Sequence, residues 1–316
     1  MYKVIMVPTH GEDTERPALS AAVSLALKLK AELRLVRVES EPTILAAETT
    51  GFVESDDFSL AERSSRQEQL TALAEECRAW GVPAVTVMEE GAAGPALTAY
   101  AEQNSVDLIV MASHGRGGLK RISLGSVTDF VIRNTHVPVL VVKPHATFVS
   151  NVPGEDGPRI LVPLDGSALA EEILPHAESL ALSLGATLKL LQVIGPFADS
   201  RREIMDPGLP WWETEVRSGE TYLSRVARYL AAKGVAVQHE VVRGETVAAA
   251  ILQYAKRDGA DLIALATSGT GGIRRLVLGT VADEISRKSP ISVFVFHPSV
   301  VTSETHERIT PRSAVV

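Results

Sequence analysis

The sequence contains one cysteine, Cys77, in 316 residues, and aromatic side chains make up only 5% of it. A single cysteine excludes an internal disulfide framework and a zinc cluster built on cysteines. Cys77 itself is compatible with a small apolar residue on a helix face or with a redox thiol. The apolar residues, 45% of the chain, are mainly alanine, valine and leucine. This composition is typical of valine-rich parallel strands covered by helices.

Excess positive charge and long apolar runs are missing as well. The formal net charge is −8, which argues against a general binder of nucleic acids or membrane surfaces. Every apolar run is far shorter than the ~20 residues that span a bilayer. The chain passes from Met1 directly into a short apolar segment without the features of a secretory signal. We therefore expect a cytoplasmic protein with neither a nucleic-acid nor a membrane partner.

A glycine-rich loop joins a predicted strand to a predicted helix in the first half of the chain. The apolar run Leu108–Ala112 has the length of a buried parallel strand, and Gly115, Gly117 and Gly118 follow it. A helical pattern then begins at Ser126, a residue that is favoured as a helix cap. Unpaired N–H groups at a helix start attract anions, and glycines let a phosphate approach the backbone closely. The order of these elements predicts an anion site, although such a loop can also be a simple tight turn.

The loop occurs twice, which makes the anion site the stronger interpretation. A spacing of 154 residues separates Gly125 from Gly279 and Asp107 from Asp261. The repeated segments are Ala112-Ser-His-Gly115 with Gly125-Ser126, and Ala266-Thr-Ser-Gly269 with Gly279-Thr280. Repetition at a fixed offset indicates a tandem duplication. We predict domains at residues 1–145 and 158–298, a linker at 146–157 and a polar tail at 299–316.

Each half alternates strands with helices. The predicted strands are residues 3–8, 32–38, 85–88, 108–112 and 137–142, and then 160–163, 187–193, 235–242, 262–266 and 292–296. Alternation of this kind favours an α/β fold in which helices cover both faces of a parallel sheet. The expected fold is therefore two tandem, doubly wound, five-stranded parallel sheets of flavodoxin-like or Rossmann-like type.

On these residues the chain resembles a tandem universal stress protein of the ATP-binding branch. Proteins of that branch carry a Gly-x2-Gly-x9-Gly-Ser/Thr loop after the fourth strand and an aspartate after the first. Both halves keep the loop except its first glycine, which is Ala112 or Ala266, and the aspartate is present as Asp165 but replaced by His10 in the first half. The resemblance implies an adenine nucleotide alpha hydrolase-like fold, ATP as cofactor with or without Mg2+, and a role in sensing or regulating the stress response. It also implies pairing of the halves through their fifth strands, about a pseudo-twofold axis.

The second half supplies the more complete set of candidate binding residues: Pro163, Leu164, Asp165, Val193, Ala266, Gly269, Gly279, Thr280 and Val281. By the resemblance, Asp165 accepts a hydrogen bond from the ribose or adenine, Val193 packs on the adenine, and the loop residues hold the phosphates. Two structural alternatives stay open at this point. Thr280 is also suited to capping its helix, and Asp165 is also suited to an Asx turn.

The first half supplies a corresponding set: Pro8, Thr9, His10, Val38, Ala112, Gly115, Gly125, Ser126 and Val127. A neutral imidazole is a poorer hydrogen-bond acceptor than a carboxylate. We therefore expect the first site to recognise adenosine less well than the second, because His10 replaces the aspartate.

Neither a catalytic constellation nor metal-ligand spacing stands out in the sequence, so we expect at most slow ATP hydrolysis. Two alternative functions remain: a slow ATP hydrolase, and an interaction scaffold that binds no ligand. A homo-oligomer and unidentified protein partners are compatible with each of them. Trp211 and Trp212 are assigned to the long loop of the second half, where they cover the sheet edge or a domain contact, or stack on a ligand.

Overall fold

The structure is a computed structural model that describes residues 2–10, 13–39, 56–113, 124–144, 157–195, 211–267 and 278–298. The first half contains five strands and four α-helices within these ranges. They are β1 Val4–Pro8, α1 Arg16–Leu29, β2 Glu32–Glu39, α2 Asp56–Ala79, β3 Ala84–Glu90, α3 Ala93–Gln103, β4 Leu108–Ala112, α4 Ser126–Asn134 and β5 Val139–Val142. A short 3-10 helix, Asp13–Glu15, precedes α1.

The second half repeats this order. Its elements are β6 Arg159–Pro163, α5 Ala168–Glu171, α6 Leu174–Leu184, β7 Thr187–Ile194, α7 Trp211–Ala232, β8 Ala236–Arg243, α8 Val247–Asp258, β9 Leu262–Ala266, α9 Thr280–Lys288 and β10 Ser292–Phe296. The two tryptophans therefore begin α7, whereas the sequence placed them in a loop. The indole of Trp212 lies 4.8 Å from the guanidinium of Arg243 on β8, a strand at one end of the sheet.

The strands form one ten-stranded sheet in the order β3-β2-β1-β4-β5-β10-β9-β6-β7-β8. The strand pairs within each half are parallel, whereas β5 and β10 pair antiparallel at the centre. The α/β class and the tandem arrangement are thus confirmed, and the two five-stranded sheets are continuous. In each half the direction of strand order reverses between the first and fourth strands, a point where ligands bind in folds of this type.

Helices cover both faces of the sheet. On one face, α1, α2, α6 and α7 pack on a core that runs through both halves, and on the other face α3, α4, α8 and α9 do the same. The strands are buried from both sides, which explains their continuous apolar runs. The helices that follow β1 and β6 end at equivalent residues with left-handed backbones, Lys30 (φ 54°) and Gly185 (φ 65°). None of the described helices is long and apolar enough to cross a membrane.

Candidate functional site

The carboxyl ends of β1 and β2, and of β6 and β7, lie at matching levels in the two halves. The N–H of Thr9 donates to the carbonyl of Val36 at 2.9 Å, and the N–H of Leu164 donates to the carbonyl of Leu191 at 2.8 Å. The first-strand end and the second-strand end are therefore neighbours on one edge of the sheet in each half. Val38 and Val193 lie two residues further along β2 and β7 on this same edge.

The helix after β4, and its counterpart after β9, starts at this edge with a glycine cap. Gly125 (ψ 150°) and Gly279 (ψ 150°) are extended, and their carbonyls accept from the N–H groups of Asp129 and Asp283. The sequence favoured Ser126 and Thr280 as caps, but the structure makes them the first helical residues. Their side chains are exposed and form no hydrogen bond with a described residue. With respect to the described residues, both hydroxyls and N–H groups of the first turn are therefore without a partner that an anion would have to displace.

Four charged side chains join these two helices across the centre of the molecule. Arg133 contacts both Asp129 and Asp283, and Arg287 contacts Asp283 at 3.1 Å and Asp129 at 2.5 Å. Asp129 and Asp283 belong to the first turns of α4 and α9, where an unpaired carboxylate repels an incoming anion. The two arginines offset this charge. We call these four residues the charge quartet.

Removing the two positive charges of the quartet is expected to weaken the contact between the halves. Replacing Arg133 and Arg287 by glutamine leaves two carboxylates facing each other and should lower the free energy of unfolding by roughly 1 kcal/mol per arginine, with a smaller effect at high salt. Urea unfolding at low and high salt measures this change. The matched control is Arg63→Gln, which breaks an ion pair with Glu90 inside one half. An equal loss in the control variant would mean that the quartet has no special role.

In the second half, Asp165 lies exposed just beyond β6. One carboxylate oxygen accepts the N–H of Ser167 at 2.9 Å, so the Asx turn considered for this residue is present. Its second oxygen makes no hydrogen bond with a described residue. Pro163 and Val193 are half-buried, whereas Leu164 is 3% exposed and presents only its backbone to a ligand.

In the first half, the segment after β1 is held by a residue that the sequence did not single out. The Glu15 carboxylate accepts hydrogen bonds from the hydroxyl of Thr9 and from the N–H of His10, each at 2.8 Å. Thr9 is 4% exposed, while Pro8 and His10 are half-buried at the edge. Sequence analysis gave Glu15 no role, because a contact across a turn is not visible in a periodic pattern.

The remaining candidates lie at the same edge in both halves. Ala112 and Ala266 are half-buried at the ends of β4 and β9. Val127 and Val281 are the second residues of α4 and α9 and are half-buried, and Val38 is 8% exposed. Gly115 and Gly269 lie outside the described residues. Within the described part of the chain, no group of three or more His, Cys, Asp or Glu side chains is arranged to hold a metal ion.

Two buried polar residues, Lys143 and His297, lie at equivalent ends of β5 and β10. The ammonium of Lys143 donates to the carbonyl of Ser286 in α9 at 3.1 Å, and burial lowers its pKa to about 8. His297 contacts the hydroxyl of Thr267, and burial lowers its pKa to about 4. Sequence analysis missed both residues, although a polar residue directly after an apolar strand is a usable signal.

A model of the Universal stress protein family matches residues 1–143 and again 158–297. The chain is 37% identical over 143 residues to a universal stress protein of Methanocaldococcus jannaschii, covering 45% of this chain and 83% of the relative. It is 32% identical over 148 residues to universal stress protein YxiE of Bacillus subtilis, covering 45% of this chain and all of that protein (100%). The crystal structure of a universal stress protein from Archaeoglobus fulgidus superposes with a TM-score of 0.69 at 21% identity, covering 93% of this chain and 98% of that one.

These matches define the class of protein, since one family accounts for both halves and for the pairing of two α/β units in one chain. The protein belongs to the universal stress protein family, in its tandem form.

Proposed function

We propose that this tandem universal stress protein binds ATP at the strand-end edge of each half and acts as a sensor or regulator in the stress response. The observation that carries the proposal is the paired helix start, in which a glycine cap without a side chain precedes an exposed hydroxyl at Ser126 or Thr280. A phosphate chain needs close approach, unpaired N–H donors and little competing negative charge. The quartet, in which Asp129 and Asp283 are paired with arginines, meets the last of these needs.

In each half, different residues contact different parts of the ligand. N–H groups at the start of α4 or α9, together with the hydroxyl of Ser126 or Thr280, bind phosphate oxygens, and each charge-assisted bond contributes about 1.5–3 kcal/mol. Gly115 and Gly269 belong to the same phosphate loops by their sequence pattern. Val38 and Val193 offer an apolar surface to the adenine, and Asp165 offers a carboxylate oxygen to a ribose hydroxyl. If Mg2+ accompanies ATP, it is held mainly by phosphate oxygens and water, as this ion commonly is.

The test uses valine at the two glycine caps. Gly125 and Gly279 have φ values of −63° and −60°, which valine tolerates, so Gly125→Val and Gly279→Val add bulk at the phosphate position without backbone strain. We expect the purified protein to bind two ATP molecules, each single variant to lose at least tenfold affinity at one site, and the double variant to lose both. Calorimetric titration with ATP measures this, and each single variant is the control for the other half.

Two results would favour the alternative functions. Sustained phosphate release above a heat-inactivated control, lost in Gly279→Val, would indicate a slow ATP hydrolase. Protein purified without nucleotide and unresponsive to added ATP would indicate an interaction scaffold, and the nucleotide proposal would then be wrong.

A further inference from the structure

The Glu15 carboxylate lies at the carboxyl end of β1, on the edge where the first nucleotide site is proposed. Its Oε2 atom accepts from the Thr9 hydroxyl and from the His10 N–H, each at 2.8 Å. Both donors belong to the segment that leaves β1, so the carboxylate is fixed against the strand end although Glu15 lies several residues further along the chain. Glu15 is half-buried, and its other oxygen, Oε1, makes no hydrogen bond with a described residue.

After the first strand of each half, the two halves differ in which of two equivalent positions carries a carboxylate. An unbroken offset of 155 residues relates His10 to Asp165 and Glu15 to Ala170. The first half therefore has histidine at the strand end and glutamate five residues later, whereas the second half has aspartate at the strand end and alanine five residues later. At these two equivalent positions each half has one carboxylate, at the later position in the first half and at the strand end in the second.

The anchoring contacts of the two carboxylates are alike as well. Asp165 uses one oxygen to accept a backbone N–H, that of Ser167 at 2.9 Å, and Glu15 uses one oxygen to accept the N–H of His10. In both cases a single oxygen holds the turn after the first strand. Among the residues that the structure describes, the second oxygen of each carboxylate has no hydrogen-bond partner.

From this difference in position we infer that Glu15 is the sugar-recognising carboxylate of the first half and takes the place that Asp165 has in the second. The inference rests on the proposed nucleotide binding and names a ribonucleotide, with free ribose hydroxyls, as the ligand class of the first site. A carboxylate accepts from hydroxyl groups without donating, so it favours a ribose over a deoxyribose. The first site is then not the weaker one that His10 alone suggested.

The experiment compares Glu15→Gln with the parent chain, both in the Gly279→Val background, so that titration reports the first half. Glutamine keeps an oxygen that accepts from Thr9 and His10 but removes the charge. We expect the affinity for ATP to fall about tenfold or more and the affinity for 2′-deoxy-ATP to fall much less. The ratio of the two affinities, which measures the preference for ribose, should therefore decrease. Glu32→Gln, at the opposite end of the sheet, is the matched control and should bind like its parent.

A second variant separates recognition from folding. Combining His10→Asp with Glu15→Ala gives the first half the pattern of the second, and we expect it to restore ATP affinity and the ribose preference, which a purely structural role for Glu15 does not explain. Unchanged affinity and ribose preference in Glu15→Gln would overturn the inference while leaving ATP binding intact. Absence of ATP binding by the unsubstituted chain would overturn the proposed function, and the inference with it.

Discussion

Replacing Phe294 by alanine is expected to lower the free energy of unfolding by about 3–5 kcal/mol, because a buried aromatic side chain is lost from a site that cannot collapse. Phe294 is 0% exposed in the middle of β10, where it lies opposite Leu140 of β5. Its ring also lies 5.8 Å from that of His176 in α6. One side chain thus contributes to the central strand pair and to the helix layer above it. Urea unfolding followed by circular dichroism measures the loss.

The same substitution at Phe130 provides the control. Phe130 lies on α4 with 37% of its surface exposed, so Phe130→Ala should cost no more than about 1 kcal/mol. Because β5 and β10 form one sheet across the two halves, Phe294→Ala should also separate the unfolding of the halves into two transitions. A single unshifted transition in Phe294→Ala would contradict the view that this strand pair joins the halves.

The strands were predictable from sequence because they are buried on both faces. Runs such as Leu108–Ala112 and Leu262–Ala266 are apolar at nearly every position, and the structure has strands with those same bounds. The segment between β6 and β7 contains two helices, α5 and α6, where alternation of strands and helices suggests one. Pro175 lies in the first turn of α6 and has no N–H to donate, so the helix must begin anew there. Apolar periodicity does not reveal such a break.

The candidate site was predictable only where it is carried by a local pattern. The repeated Gly-Ser/Thr pairs located both helix starts to within one residue, since the sequence favoured Ser126 and Thr280 as caps and the caps are Gly125 and Gly279. The hydrogen bond between Glu15 and His10 depends on a distance across a turn. The charge quartet depends on contacts between two helices whose acidic residues are 154 positions apart. The contacts of the quartet follow from the antiparallel pairing of β5 and β10, which residue spacing within one half does not specify.

Mild acid is expected to destabilise the protein strongly through two buried histidines. Burial lowers the pKa of His176 and of His297 from 6.5 to about 4. His176 is 8% exposed. Its Nδ1 atom forms a hydrogen bond of 2.8 Å with the hydroxyl of Tyr2. Its imidazole ring also lies near the rings of Tyr2 and Phe296. The folded state thus keeps both imidazoles neutral, whereas the unfolded chain protonates them already near pH 6.5.

The sign follows from this difference in protonation. Above pH 6.5 neither the folded nor the unfolded state protonates these histidines, so they do not lower the free energy of unfolding. As the pH drops from about 6.5 to about 4, the free energy of unfolding falls, because the unfolded state then binds more protons than the folded state. The loss approaches roughly 1.4 kcal/mol per pH unit for each histidine, or about 3 kcal/mol each over the whole interval. Urea unfolding at a series of pH values between 4 and 7 measures the slope of the free energy of unfolding against pH. Titration of carboxylates adds its own contribution to the loss of stability in acid.

Removing one histidine should reduce that slope by about half of the histidine contribution. The double variant Tyr2→Phe with His176→Phe removes the imidazole without leaving the tyrosine hydroxyl unpaired in the core. The matched control is His239→Asn on β8, where the histidine is exposed and contacts only Ser224 among the described residues. If the core variant and the control lose stability in acid as steeply as the parent chain, the buried His176 is not a source of the acid sensitivity. A shallower slope in the core variant alone would identify the contact between Tyr2 of the first half and His176 of the second as the point where acid loosens the tandem arrangement.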